Sequence, residues 1–129
     1  MQWFRNPFRK TAPAARLCQQ TALADLQAIQ KLPSETQRKI AADIGSFISM
    51  AGLNNGLLET LFTAAVKERQ DAVADGASWS EDPRWAIATL KEAWCGAKLG
   101  KARGVISKDA ADSIVRKIEA FAFDSKHAG

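Results

Sequence analysis

The spacing of the apolar residues is the feature that most constrains the fold of this chain. From about residue 14 to residue 124, apolar side chains recur every three or four positions, which is the period of an α-helix with one buried face. No stretch alternates between apolar and polar residues as a half-buried strand would. Five such segments follow one another, and amphipathic helices must bury their apolar faces against each other. The sequence therefore predicts an all-α, single-domain antiparallel bundle of about five helices.

Prolines, glycines and capping residues predict the ends of these helices. Pro33 ends the first helix, which we expect over residues 14–32 with Cys18 on its buried face. Ser34 and Gln37 have the spacing of a capping box for the second helix. The other predicted boundary residues are Gly52, Asn54 or Asn55, Gly76, Asp82, Pro83, Gly104 and Ser107. The stripe of the third helix includes Val73, and that of the fourth includes Trp94.

The net charge of +4 is concentrated at one end of the chain. Residues 1–16 contain four cations and no acid, whereas residues 17–129 contain 14 cations and 14 acids. The basic composition therefore describes the beginning of the chain and not the surface of the whole domain. We divide the chain into a basic, aromatic leader over residues 1–13 that we expect to be flexible, a helical domain over residues 14–124 and a frayed tail over residues 125–129.

The leader combines bulky aromatic side chains with cations. Its candidate contact residues are Trp3, Phe4, Arg5, Phe8, Arg9 and Lys10. Aromatic rings settle at the headgroup level of a membrane and cations favour anionic lipid, so a weak contact with a membrane surface is one prediction. The alternatives are docking on a partner protein, packing on the bundle, and a disordered leader that contacts nothing.

The sequence gives no sign of a targeting or membrane-spanning segment. The leader lacks the continuous apolar run of about 7 to 15 residues that a secretory signal requires, and its prolines disfavour an organellar transit peptide. No window approaches the roughly 18 apolar residues of a transmembrane helix. Cys18 and Cys95 match no metal-ligand or redox pattern, which favours a reducing cytoplasm.

Residue patterns typical of catalysis are absent from the sequence. The single histidine, His127, lies in the frayed tail, no serine or cysteine nucleophile has an evident base, and no phosphate-binding glycine motif is present. Glu68, Asp71 and Asp75 share one face of the third helix and could hold a hard cation weakly, but we prefer to interpret them as a solvated face. The sequence therefore predicts no enzyme, no cofactor and no metal site.

An aromatic patch near the start of the fourth helix is the main candidate for binding a partner. Trp85 lies nine residues before Trp94, which is half a turn away around the helix, so one buried stripe cannot contain both. One alternative is that the preceding loop covers Trp85. The other is an exposed binding site formed by Trp79, Arg84 and Trp85, because tryptophan and arginine carry much of the binding energy in protein interfaces.

Cations occur in two further places that need an explanation. Arg69 falls near the middle of the apolar stripe of the third helix, where it would snorkel, pair with a carboxylate of another helix or face a groove that receives an acidic ligand.

A basic turn between the last two helices is a candidate anion site. Its cations are Lys98, Lys101, Arg103 and Lys108. The turn has the outline of a helix-turn-helix, but Asp109 and Asp112 would repel a duplex, which disfavours nucleic acid.

These observations predict a non-enzymatic module for protein–protein interaction, such as a cytoplasmic adaptor or regulatory subunit of bacterial type. The alternatives are peripheral membrane association through the leader and nucleic-acid binding through the basic turn. The predicted partner is another protein, and homo-oligomerisation is a further alternative.

Overall fold

The computed structural model describes residues 19–53, 55–76 and 83–123. Within these ranges it contains five α-helices and no strand: α1 (Gln19–Ile29), α2 (Ser34–Gly52), α3 (Leu58–Ala74), α4 (Pro83–Ala102) and α5 (Lys108–Phe123). A 3₁₀ turn at Asn55–Leu57 leads directly into α3. The helices pack into one bundle, so the predicted fold class is confirmed. None of the described helices combines the length and the apolar composition that crossing a membrane requires.

The central helix of the bundle is α4, because α1, α2, α3 and α5 all pack against it. Trp94 is buried on the predicted stripe, but Ala88 and Cys95 are buried on the opposite side of the helix. Small residues occupy much of this second face, which lets a neighbouring helix approach closely. The prediction of a single buried face therefore holds for the outer helices and not for α4.

The connection between α4 and α5 follows the sequence signals. Gly104 has a φ of 71°, and the N–H of Val105 donates to the carbonyl oxygen of Gly100 at 2.8 Å, as in a Schellman motif. Ser107 then caps α5, because its Oγ accepts a hydrogen bond from the N–H of Ala110 at 3.1 Å. These contacts confirm both predicted boundary residues.

The turn between α1 and α2 differs from the prediction. The described part of α1 ends at Ile29, and Pro33 occupies the N-cap position of α2, where no side chain caps the helix. Gln37 does not complete a capping box. Its Nε2 instead donates to the carbonyl oxygens of Gln30 at 2.9 Å and Leu32 at 2.7 Å, so this side chain ties the end of α1 to the start of α2.

The start and the stripe of α3 also differ from the prediction. The N-cap position is Leu57, without a side-chain cap, so the predicted caps Asn54 and Asn55 are wrong. Asn55 belongs to the 3₁₀ turn, and Asn54 lies outside the described residues. Val73, which we placed on the buried stripe, is 56% exposed because it lies one residue, or about 100° around the helix, beyond the buried Ala72.

Candidate functional site

The carboxylates on the exposed flank of α3 are all engaged by cations. The pairs are Glu68 with Lys91 at 3.6 Å, Asp71 with Lys67 at 3.1 Å and Asp75 with Arg84 at 3.3 Å. Each exposed pair adds little stability, but the pairs that reach α4 are consistent with the antiparallel register of the two helices. Within the described ranges, no group of three or more potential ligand residues could hold a metal ion.

One ion pair lies inside the interface between α3 and α4. Nε of Arg69 is 2.6 Å from Oε1 of Glu92, and the two side chains are 20% and 3% exposed. A carboxylate this deeply buried requires a partner, and Arg69 supplies it. Of the three alternatives for Arg69, the structure shows the pair with a carboxylate of another helix. We therefore assign this cation a structural role.

The side chain of Trp94 connects α4 to α2 and α5. Trp94 packs edge-on against Phe47, with ring centroids 6.0 Å apart. Its indole Nε1 donates to Oε2 of Glu119 at 3.1 Å, and Nζ of Lys98 lies 4.9 Å from the centroid of its ring. This tryptophan therefore organises the core and is not available to a partner.

The thiol of Cys95 has the environment of an inert core residue. The side chain is fully buried, and this burial raises the pKa of the thiol to about 12, although Lys91 and Lys98 act in the opposite direction. A thiol that stays protonated at neutral pH is a poor nucleophile. Cys18, the other cysteine, lies outside the described residues.

The predicted aromatic patch is only partly within the described ranges. Trp79 lies outside them. Arg84 is exposed, pairs with Asp75 and lines a cavity of about 310 Å³ between α3 and α4. Trp85 is partly buried and packs against the core. One stripe does not contain both tryptophans, because α4 has buried residues on two sides and Trp85 packs on a different side from Trp94.

The cations of the basic turn all lie close to groups of the protein itself. The contacts are Lys98 with the ring of Trp94, Lys101 and Lys108 with Asp112 at 2.8 Å and 3.0 Å, and Arg103 with Glu59. Hydrogen bonds from Lys101 and Lys108 lower the pKa of Asp112 to about 2, and Asp112 in turn raises the pKa of Lys108. This internal pairing weighs against a phosphate-binding role for the turn.

Two other predictions concern parts of the chain that the structure does not describe. The leader residues Trp3, Phe4, Arg5, Phe8, Arg9 and Lys10 lie outside the described ranges, and so does His127. Contact of the leader with a membrane or a partner therefore stays a prediction.

A groove of about 810 Å³ lies between α1, the start of α2 and the end of α5; we call it the α1/α5 groove. Among the described residues, α1 and α2 each pack on α5 but make little contact with each other. The gap between them has a floor formed by Leu26 and Phe121, which are 4% and 2% exposed. Leu23 and Ala120 extend this apolar floor towards solvent.

The rim of the α1/α5 groove is polar and contains two cations. Its polar members are Gln27, Gln30, Ser34, Gln37, Arg38 and Lys117, and none of the described lining residues is a carboxylate. Gln37 is held by its hydrogen bonds across the turn between α1 and α2, so this end of the groove is fixed. No pattern in the sequence predicts this site, because the polar rim residues are indistinguishable from solvated helix positions until the packing of the three helices is known.

Another surface that the sequence patterns did not reveal lies where α2 connects to α3. Met50, Leu53 and Leu57 are 42%, 84% and 45% exposed, which is high for large apolar side chains. All three are large apolar residues that lie outside the predicted apolar stripes. This mismatch with the helical period is the one signal in the sequence that could have identified them. Comparisons with models of known protein families, with curated proteins and with solved structures each found no match for this chain.

Proposed function

We propose that this protein is a small helical module that binds another protein, and that the α1/α5 groove is its docking surface. The observation that carries the proposal is the composition of the groove, in which the buried side chains of Leu26 and Phe121 are surrounded by polar and cationic residues. An apolar centre with a polar rim is the usual arrangement of a protein interface. Pockets for small molecules are, in contrast, lined mostly by apolar and aromatic side chains.

The side chains of the groove suit binding better than catalysis. They comprise aliphatic groups, one phenyl ring, three amides, one hydroxyl and two cations. None of these described groups pairs a nucleophile with a base, which acyl or phosphoryl transfer by the protein's own side chains would need. A cytoplasmic adaptor or regulatory subunit is the cellular role that fits such a module.

Filling the groove tests this function without disturbing the core. Ala120 lines the groove and is exposed, so Ala120→Trp adds bulk where a partner would lie. Ala64 is an exposed alanine in the middle of α3, and Ala64→Trp is a matched control with the same small cost in helix propensity. The wild type and both variants are used as bait in cells that naturally produce the protein, and recovered proteins are quantified by mass spectrometry.

The proposal predicts a partner that the wild type and Ala64→Trp recover equally and that Ala120→Trp recovers at least tenfold less. Circular dichroism of the three proteins establishes that all are folded. Equal recovery by all three proteins would reject the groove as the docking surface, and recovery of no partner by the wild type would reject the function.

A further inference from the structure

We infer that the α1/α5 groove selects an acidic amphipathic helix of the partner protein. This inference rests on the proposed function and adds the chemistry of the docking segment.

The charge around the groove favours an acidic occupant. Arg38 on α2 and Lys117 on α5 both line it. None of the described lining residues is a carboxylate. The nearby carboxylate of Glu119 accepts a hydrogen bond from Trp94 on the core side of α5. A segment with carboxylates beside its apolar face would therefore be attracted, and a basic segment would be repelled.

The dimensions of the floor suit a short stretch of helix. The lining residues on this side of the groove run from Leu23 in α1 to Gln30, one residue beyond its end, which corresponds to about 10 Å, or two helical turns, at the rise of an α-helix. Two turns present apolar anchors three and four residues apart, the spacing by which amphipathic helices bind grooves. Leu23, Leu26 and Phe121 supply the complementary apolar surface, and the amides of the rim can hydrogen-bond to polar groups beside the anchors.

Two segments of the chain itself, residues 1–16 and the acidic flank of α3, are poorer occupants than an external acidic helix. Residues 1–16 contain four cations and no acid, so their charge has the same sign as that of the rim. The acidic flank of α3 in a second copy has the right sign, but its carboxylates are already paired with Lys67, Arg84 and Lys91. An acidic helix from a different protein meets neither obstacle.

Two designed peptides test the selection directly. Both have the same leucine face over four helical turns, and they differ only in having glutamate or lysine at the flanking positions. Each is titrated into the full-length protein at low salt, with binding followed by fluorescence anisotropy and mapped by backbone amide NMR. The variants are Lys117→Glu, which reverses a rim charge, and Lys39→Glu, which makes the same change at an exposed lysine that does not line the groove.

We expect the acidic peptide to shift the amides of Leu23, Gln27 and Lys117, and to bind at least tenfold more tightly than the basic peptide. Lys117→Glu should weaken the acidic peptide at least tenfold, and Lys39→Glu by no more than about twofold, because surface charges outside a contact are screened.

Four results would overturn the inference. They are equal binding of the two peptides, equal effects of the two variants, shifts confined to another surface, and contacts between residues 1–16 and the groove in the free protein.

Phosphatidylglycerol vesicles serve as a further probe: if they bind in a Lys117-dependent manner and the acidic peptide does not, a lipid surface replaces the helix as occupant. If the capture experiment shows a groove-dependent partner but the peptides show no preference, the interaction function stands and only the acidic class fails.

Discussion

At the residue scale, the pair formed by Arg69 and Glu92 shows what the sequence could and could not predict. The position of Arg69 on an apolar stripe is visible in the sequence, and it requires one of a small number of solutions. The choice of Glu92 depends on the antiparallel register of α3 and α4, which no local pattern encodes. Glu92 itself has no signal in the sequence, because a single glutamate on a long helix is normally solvated.

Replacing Arg69 should destabilise the fold through the charge that it leaves behind. We expect Arg69→Met to lower the free energy of unfolding by about 3 kcal/mol, since Glu92 would remain buried without a partner. The double variant Arg69→Met, Glu92→Leu should recover most of this loss, because both charges are removed together. Urea denaturation of the wild type, the single variants Arg69→Met and Glu92→Leu, and the double variant measures the free energy by which the two side chains stabilise each other. Additive effects in this cycle would show that the two side chains do not stabilise each other.

The carboxyl group of Asp112 should titrate at an unusually low pH. Its pKa is lowered from 3.8 to about 2 by hydrogen bonds from Lys101 and Lys108. Because the pKa is lower in the folded state, the stabilisation is complete above the unfolded value of 3.8 and is lost as the pH falls through about 2. Carbon-13 NMR of the side-chain carboxyl should give this low midpoint, and Lys101→Met should raise it. A midpoint near 3.8 in the wild type would contradict the ion pairs.

At the element scale, the correctly predicted helix ends are those that depend on one residue and the backbone within one turn of it. Gly104 ends α4 because it adopts a positive φ, and Ser107 starts α5 because its hydroxyl reaches an N–H three residues ahead. The capping box of Ser34 and Gln37 is wrong because Pro33, and not Ser34, occupies the N-cap position, and the side chain of Gln37 turns back to donate to the carbonyl oxygens of Gln30 and Leu32. This arrangement depends on how α1 enters the turn, which the sequence pattern does not define.

Removing the hydroxyl of Ser107 should loosen the start of α5. We expect Ser107→Ala to lower the free energy of unfolding by about 1 kcal/mol. Ser107→Asn should retain most of the stability that the cap contributes, because asparagine is also a good N-cap. Ser46→Ala on the exposed face of α2 is the control and should be neutral or slightly stabilising, since alanine favours helix interiors. Thermal and urea unfolding of the three variants compare these effects. Equal stabilities of Ser107→Ala and the wild type would argue against the cap.

The burial of the central helix, α4, could not be predicted fully from the spacing of its apolar residues. A single apolar stripe predicts one buried face for each helix, but the small residues of α4 allow neighbouring helices to pack on a second side as well. Ala88, Ala93 and Gly96 lie off the predicted stripe, and their small size is the one clue to this packing in the sequence. That clue is weak because alanine is also common on exposed helix faces.

At the scale of the whole molecule, the α1/α5 groove results from an arrangement of helices and not from a motif. α1 and α2 leave the turn held by Gln37 in different directions, and both rest on α5. The buried side chains of Leu26 and Phe121 form the floor where the two helices separate. The sequence predicts the helices and most of the core residues, but the separation of α1 from α2 is a tertiary property. For this reason the predicted sites lay at the conspicuous tryptophans and cations and not at the groove.

Contact between the α1/α5 groove and another protein in the cell can be detected by site-specific photocrosslinking. Benzoylphenylalanine replaces Gln27 on the rim of the groove or, as a control, Lys67 on the exposed face of α3. We predict a crosslinked product of defined mass from position 27, which mass spectrometry identifies as a second protein joined at an acidic helix, and no such product from position 67. A product from position 67 alone, or equal products from both positions, would contradict binding of a partner in the groove.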